Sequence, residues 1–213
     1  MPYWTIDPSA ILKSLGARRQ VFHSEADLQF EFANEVRVLY PEAQIRLEVP
    51  LSPREYADIV VVGPDDSAVV IELKYLTRKW SGPVAGEQFA LKNHSALDLR
   101  RYDVMKDIRR VEQFIAERPG WSGYVVTLAN DAGYWTPPRG ERVSNDSEFR
   151  IHDGVVINPG PRGWASKTAS TRKREAAIHI GGTYALRWAD YTTLDASIAG
   201  AFRYLIVPVS LSE

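Results

Sequence analysis

The 213-residue sequence contains no cysteine, and this absence excludes several kinds of chemistry. Disulfides, thiolate nucleophiles and cysteine-ligated zinc are all ruled out. A cysteine-free chain suits a reducing compartment, and we therefore expect a cytoplasmic protein. No apolar run approaches the roughly 20 residues that a membrane-spanning helix needs, so we expect no membrane partner. The N-terminus also lacks the basic region and apolar core of a secretory signal.

The sequence also lacks an excess of charge of either sign, because 26 Lys and Arg face 27 Asp and Glu. This balance neither supports nor excludes a nucleic-acid partner. G-x-S-x-G, Walker A and G-x-G-x-x-G motifs are absent, which argues against a triad hydrolase, a P-loop enzyme and a Rossmann dehydrogenase. The histidines are scattered without zinc-binding spacing.

The hydrophobic patterns that are present alternate between helix and strand. A helix is predicted over residues 24–40, with Ser24 as its N-cap and Pro41 after its end. Its apolar stripe consists of Leu28, Phe32, Val36 and Leu39. Closely spaced β-branched runs, which predict an antiparallel meander, occupy residues 45–51, 56–62 and 68–75. A second helix over 97–117 precedes a buried strand at 123–130, which we expect to pair in parallel with the sheet.

The C-terminal part is less regular. Residues 137–175 are rich in Pro, Gly, Ser, Asn and Arg, which predicts a long loop or excursion. We expect a hairpin around Gly181-Gly182 and a final strand at 202–209, where Pro208 indicates an edge position. The expected fold is one α/β domain with a mixed central sheet flanked by helices. Its core would span about residues 20–130, and a β-rich C-terminal extension would span about 131–213.

Charged residues interrupt the apolar strands. Glu72 and Lys74 lie two apart in the run 68–75 and therefore share one face, while Asp58 lies in the preceding run. A turn at residues 63–66 would bring Asp58 near Glu72. Buried charges cost several kcal/mol unless they are paired or bound to an ion. Two carboxylates that hold Mg²⁺ beside a lysine suit metal-assisted phosphodiester hydrolysis.

The pattern Asp58…Glu72-Leu73-Lys74 resembles the core signature of the PD-(D/E)XK nuclease superfamily, whose fold is restriction-endonuclease-like. The order of elements over residues 24–130 is also similar. The stretches IELKYLTRKW and RYDVMKDIRRVE resemble an uncharacterised bacterial branch of it. The resemblance implies that Asp58 and Glu72 bind Mg²⁺ or Mn²⁺ and that Lys74 assists the attacking water. The proline that often precedes the Asp is replaced by Ala57.

Many members of that superfamily add a Glu from the first helix to the metal site. At about 100° per residue, Glu25 projects within about 20° of Phe32 and Val36, so we select it as a third ligand, direct or through water. Gln29, one turn further on, is a candidate to support it. Glu25 has an alternative role as a first-turn carboxylate favoured by the helix dipole.

Further residues are candidates for nucleic-acid contact. Gln88, Lys92 and His94 follow the Glu72–Lys74 strand and are candidates to face the site. A basic stretch contains Arg162, Lys167, Arg172, Lys173 and Arg174; a mobile nucleic-acid contact and a plain surface loop remain equally open for it. The basic residues of the helix at 97–117 alternate with Asp98, Asp103, Asp107 and Glu112, which favours a solvated, salt-bridged face.

These observations predict a Mg²⁺- or Mn²⁺-dependent nuclease that acts on DNA, with Glu25, Asp58, Glu72 and Lys74 as its site. The superfamily resemblance also admits a homodimer. The alternative is a nucleic-acid-binding module of the same fold that does not cut. The structural alternative for Glu72 and Lys74, a cross-strand salt bridge on the wet face of a sheet, would require a polar residue at position 70, where the sequence has Val70.

Overall fold

A computed structural model describes residues 3–53, 55–140, 143–166 and 168–209, which form an α/β fold around a mixed six-stranded sheet. Within this part of the chain the helices are α1 (Pro8–Arg18), α2 (Glu25–Leu39) and α3 (Leu97–Ala116). The strands are β1 (Gln44–Ser52), β2 (Glu55–Val62), β3 (Ala68–Leu76), β4 (Trp80–Val84), β5 (Glu87–Leu91), β6 (Trp121–Ala129), β7 (Val156–Ile157), β8 (Gly160–Arg162), β9 (Ile178–Ile180), β10 (Tyr184–Ala185), β11 (Trp188–Thr193) and β12 (Ala201–Val209). No helix among the described residues is both long enough and apolar enough to cross a lipid bilayer.

The central sheet has the strand order β1-β2-β3-β6-β12-β11. The first three strands form the predicted antiparallel meander, in which Ile59 of β2 pairs with Ile71 of β3. The α3 crossover returns the chain so that β6 pairs in parallel with β3, as expected for a connection through a helix. Both pairings, and the mixed sheet flanked by helices, are therefore confirmed.

Side-chain alternation along β3 separates two hydrophobic cores. Val69, Ile71 and Leu73 face a core that contains residues of α1 and α2, whereas Val70 faces a second core that contains residues of α3. Glu72 and Lys74 have the parity of Val70 and therefore lie on the α3 face. The two charged residues of β3 therefore lie on the side of the sheet that α3 covers.

Helix α2 begins and packs largely as the sequence predicts. The Ser24 hydroxyl accepts a hydrogen bond from the Asp27 N–H, which satisfies one of the free donors at the helix start. The buried stripe is Leu28, Phe32 and Val36. The inclusion of Leu39 was wrong, because Leu39 is exposed and Tyr40 packs against the core instead.

The C-terminal part joins the fold in two ways. Strands β11 and β12 extend the central sheet beyond β6, while the short strands β7 to β10 form two separate pairs. The core beside α3 also receives buried side chains from this part, among them Phe149, Ile151, Ile157, Ile178 and Ile180. The predicted β-rich extension is therefore present, and it completes both the sheet and the core.

Two details of the C-terminal prediction were wrong. Gly181 and Gly182 do not form a hairpin, because β9 pairs with β8 and β10 pairs with β7. Pro208 lies in β12, which is an interior strand between β6 and β11. The proline is tolerated because β11 pairs with β12 only as far as Leu205, so at Pro208 just one neighbouring strand is paired.

Candidate active site

Asp58 and Glu72 lie on the same face of the sheet, next to α3. The β2–β3 pairing ends at Ile59 and Ile71, and its continuation by one step would place Asp58 opposite Glu72. Instead, the Asp58 Oδ2 accepts a hydrogen bond of 2.7 Å from the Leu73 N–H. Where β2 and β3 separate, the Asp58 carboxylate therefore accepts the hydrogen bond from the Leu73 N–H that a backbone carbonyl of β2 would otherwise accept.

Gln29 of α2 supports this arrangement from the other side. Its side-chain amide donates 2.7 Å to the Asp58 carbonyl and 2.9 Å to the Glu48 carboxylate. The amide therefore anchors the β2 backbone at Asp58. Gln29 was considered as support for Glu25, and the structure places it as support for Asp58.

Glu25, the first residue of α2, reaches the same strand. Its Oε2 accepts a hydrogen bond of 2.9 Å from the Tyr75 N–H, and its Oε1 lies 3.9 Å from the Lys74 ammonium. The side chain remains 46% exposed, so it does not lie on the buried stripe as the helical projection implied. The helix start nevertheless brings it to Lys74, where it can serve as a metal ligand.

Helix α3 adds two residues that the sequence reasoning missed. Arg110 donates to both carboxylate oxygens of Glu72, with the Nε–Oε1 bond at 3.0 Å, and also lies 3.2 Å from Asp107. The other Asp107 oxygen lies 3.0 Å from the Lys74 ammonium. Asp107 was assigned to a solvated face, but it is buried. Helical spacing held a signal for it, because Asp107 projects only about 60° from Val104 and about 40° from Val111 on the apolar stripe.

The six side chains form one electrostatic cluster. Its carboxylates are Glu25, Asp58, Glu72 and Asp107, and its cations are Lys74 and Arg110. When all are ionised, the carboxylates outnumber the cations by two. A site with this surplus and with oxygen donors matches the charge and the ligand preference of a divalent hard cation.

Burial, together with the charge of neighbouring carboxylates, raises the pKa of three of the carboxyl groups. Burial is the largest cause for Glu72, and the charges of Asp58 and Asp107 raise its pKa further. Burial is also the largest cause of the raised pKa values of Glu25 and Asp107, and the charge of Asp58 raises both pKa values further. Desolvated carboxylates that crowd one another favour the neutral form, so a proton or another cation stabilises the cluster.

Lys74 experiences the opposite effect. Burial alone would lower the pKa of its ammonium, but the charges of Asp107, Glu25 and Asp58 raise the pKa above its usual value. The group therefore carries a positive charge at neutral pH. In this state it can bind and stabilise an anionic oxygen, whereas it is a poor acceptor for a proton from water.

The carboxylates do not form a ready-made metal cage. Among the described residues, no group of three or more His, Cys, Asp or Glu side chains is arranged so that it could hold a metal ion. At Glu72, both carboxylate oxygens bind Arg110. Metal binding by Glu72 would therefore require the carboxylate and the guanidinium to separate.

A first cleft of about 370 Å³ opens at one side of the cluster. It is lined by Glu25 and Lys74 together with Lys92, His94 and Arg100. His94 Nδ1 accepts a hydrogen bond of 3.1 Å from the Thr77 N–H, so a neutral ring carries its proton on Nε2. Burial and the charges of Arg100 and Lys92 lower the His94 pKa, which favours that neutral ring.

A second cleft of about 390 Å³ lies along α3 on the other side. Its charged lining comprises Lys106, Arg109, Arg110 and Glu55, and His179 also borders it. Arg110 belongs both to this cleft and to the cluster through its bond to Glu72. The carboxylates therefore lie between two concave surfaces that carry cations.

The predicted nucleic-acid contacts are distributed unevenly. Lys92 lines the first cleft, whereas Gln88 lies in the β4–β5 hairpin as an exposed residue paired with Pro83. Arg174 forms a two-point ion pair with Asp103 of α3, at 2.7 and 3.0 Å, which ties the basic stretch to the helix. Arg172 and Lys173 are exposed and line neither cleft. Lys167 lies outside the described residues.

Comparison of the chain with protein-family models, with curated proteins and with solved structures returned no match. The side chains of the cluster and their geometry are therefore the features that bear on the function of this protein.

Proposed function

We propose that this protein is a divalent-metal-dependent nuclease that hydrolyses phosphodiester bonds in DNA, with a site of the PD-(D/E)XK type on a restriction-endonuclease-like core. The observation that carries the proposal is the convergence of four carboxylates on Lys74 and Arg110 where β2 separates from β3. Such a cluster is costly to bury without function, because each desolvated charge must be compensated.

The donor set suits Mg²⁺ or Mn²⁺. Asp58, Glu72 and Glu25 are the residues that would hold the ion, directly or through water, and all supply the hard oxygen donors that these cations prefer. A bound ion would polarise the scissile phosphate and lower the pKa of an attacking water. In the fully ionised state the cluster carries two surplus negative charges, which one divalent cation would neutralise.

Lys74 would contribute as a fixed positive charge. Its ammonium lies between Glu25 at 3.9 Å and Asp107 at 3.0 Å, and it lines the first cleft. In that position it can orient a water molecule and stabilise the negative charge that develops on a phosphate oxygen. Asp107 serves as a positioning residue, because it binds both Lys74 and Arg110.

One observation favours a second candidate function, a nucleic-acid-binding module that does not cut. The Arg110–Glu72 pair satisfies the buried carboxylate without any metal, as a purely structural ion pair would. The Glu25 carboxylate in the lining of the first cleft argues against this candidate, because a surface that only binds phosphate has no use for a negative charge beside it.

The test is incubation of the protein with plasmid and single-stranded DNA in Mn²⁺ and in EDTA. We expect cleavage in Mn²⁺ that is lost in EDTA and in the Asp58→Asn and Lys74→Ala variants. Lys13→Ala, which changes an exposed residue of α1, is the matched control and should cut as the parent does. Cleavage that persists in EDTA would refute the metal dependence, and tight binding without product would establish the binding module instead.

A further inference from the structure

The two clefts are connected through the carboxylate cluster. Lys74 lines the first cleft and contacts Asp107, which in turn contacts Arg110 of the second cleft. The side-chain contacts that join one cleft to the other therefore run through residues of the cluster that we propose as the reaction centre.

Each cleft offers cations beyond those of the cluster. Lys92 and Arg100 lie in the first cleft, and Lys106 and Arg109 lie in the second. Besides Asp107 of the cluster, the acidic residue of α3 between Arg100 and Arg110 is Asp103, whose charge the nearby Arg174 and Arg100 compensate. The remaining carboxylates of the two linings are Glu25 and Glu55. The linings of the two clefts therefore suit an extended polyanion, and the carboxylate cluster lies between them.

The separation of the clefts sets a minimum substrate length. Arg100 and Arg110 lie on the same helix, and their separation in sequence corresponds to about 15 Å along its axis. One strand of B-form DNA advances about 3.4 Å per nucleotide, so this span corresponds to about four or five nucleotides. A mononucleotide or dinucleotide cannot reach both clefts.

We propose that one polynucleotide strand occupies both clefts at once and places an internal phosphodiester bond at the carboxylate cluster. The inference rests on the proposed nuclease function and narrows its substrate to chains of at least about five nucleotides that continue on both sides of the bond. Cutting would then be endonucleolytic, because the strand leaves the centre in both directions.

The test is binding of fluorescein-labelled single-stranded oligonucleotides of about three, six and twelve nucleotides in EDTA, followed by fluorescence anisotropy. Two double variants each remove two cationic side chains from one cleft. Lys92→Ala with Arg100→Ala changes the first cleft, and Lys106→Ala with Arg109→Ala changes the second. The control pair is Lys13→Ala with Arg37→Ala, which changes exposed residues of α1 and α2. Circular dichroism confirms that every variant is folded.

We expect the longest oligonucleotide to bind most tightly and to lose about tenfold or more in affinity with either cleft pair changed. The dependence of binding on salt should weaken by about one unit of slope per contact removed. Equal affinity for all lengths would overturn the proposal, as would wild-type affinity after the second pair of substitutions. Two-cleft binding without any product in Mn²⁺ would support the strand path and reject the nuclease. If the Lys106→Ala/Arg109→Ala variant still cleaves plasmid DNA as the parent does, the nuclease function would be supported and the strand path rejected.

Discussion

Arg110 and Glu72 illustrate how single residues set the charge of the candidate site. The Glu72 side chain is 0% exposed and that of Arg110 is 17% exposed, so water screens the pair weakly. A buried carboxylate with one cationic partner is costly when that partner is removed. Because both oxygens of Glu72 bind the guanidinium, Arg110 and a metal ion would compete for the same carboxylate.

The Arg110→Gln substitution tests this competition. In EDTA we expect the free energy of unfolding to fall by about 3 kcal/mol, because Glu72 loses its charged partner and remains buried. Added Mg²⁺ should then stabilise the variant more than it stabilises the parent. Urea denaturation with and without Mg²⁺ measures both effects. Arg37→Gln, an exposed change on α2, is the control, and unchanged stability of the Arg110 variant in EDTA would contradict the prediction.

At the scale of secondary-structure elements, α3 organises the C-terminal part of the chain. The fully buried Glu112 carboxylate of α3 accepts hydrogen bonds from the Gly181 and Gly182 N–H groups and from the Tyr184 hydroxyl, all at 2.8–3.0 Å. Gly182 is required by this contact, because a Cβ at that position would lie 2.4 Å from the Tyr184 hydroxyl oxygen. The carboxylate therefore fixes the turn between β9 and β10 against the helix.

The Glu112→Gln substitution should destabilise this junction. The side-chain amide would place a donor against N–H and O–H donors, and we expect a loss of about 2 kcal/mol in the free energy of unfolding. Thermal and urea denaturation measure the loss. Glu117→Gln, an exposed change at the end of α3, should leave stability unchanged. Equal stability of the two variants would show that the Glu112 contacts contribute little.

Asp146 ties the loop after β6 to α3 through Arg101, and both side chains are 7% exposed. Burial would raise the Asp146 pKa, but hydrogen bonds from Ser144 and Arg101 and the charge of Arg101 lower it below its usual value. Because the folded pKa lies below the unfolded value, the carboxylate contributes stability above about pH 4. That contribution is lost as the pH falls through the folded pKa.

We expect Asp146→Asn to lower the free energy of unfolding by about 3 kcal/mol at neutral pH, because Arg101 keeps a buried charge without a counter-charge. The difference from the parent should be constant between about pH 5 and pH 8 and should shrink below about pH 4. Urea denaturation across this range measures it. A difference that grows on acidification would contradict the sign of the Asp146 pKa shift.

At the scale of the whole molecule, metal binding should stabilise the folded protein. A ligand that binds only the folded protein adds about 2.7 kcal/mol when its concentration is one hundred times its dissociation constant. We therefore expect Mg²⁺ or Mn²⁺ to raise the melting temperature of the parent protein relative to EDTA. The increase should disappear in Asp58→Asn and in Glu72→Gln, and calorimetry measures it. An equal increase in all three proteins would place the metal elsewhere.

The sequence was sufficient for the framework of the site but insufficient for its pairing. Parity along β3 correctly put Glu72 and Lys74 on one face, and the turn after Val62 correctly brought Asp58 to that face. The helical projection that selected Glu25 overestimated its burial, but Glu25 does lie beside Lys74 and Tyr75. Asp107 was assigned to solvent because charge alternation along a helix does not reveal which polar residue the sheet covers.

For the whole fold, the sequence likewise predicted the local elements but not the contacts between distant segments. Periodicity and turn residues identified α2, α3 and the first strands, because these signals arise from neighbours a few residues apart. The placement of β12 inside the sheet and the use of Gly181 and Gly182 as carboxylate-binding groups depend on contacts between distant segments. Local pattern carries no record of such contacts.

Alternation and helical spacing thus established from the chain alone the helices α2 and α3, the first strands of the sheet and the shared face of Glu72 and Lys74 on β3, because these follow from backbone geometry. Folding in three dimensions established the partners of those charges: Arg110 for Glu72, Asp107 for Lys74 and the Leu73 N–H for Asp58. The physical reason is that desolvation is set by everything packed around a group. The cost of a buried charge, and the cation that best offsets it, therefore emerge only when distant segments meet.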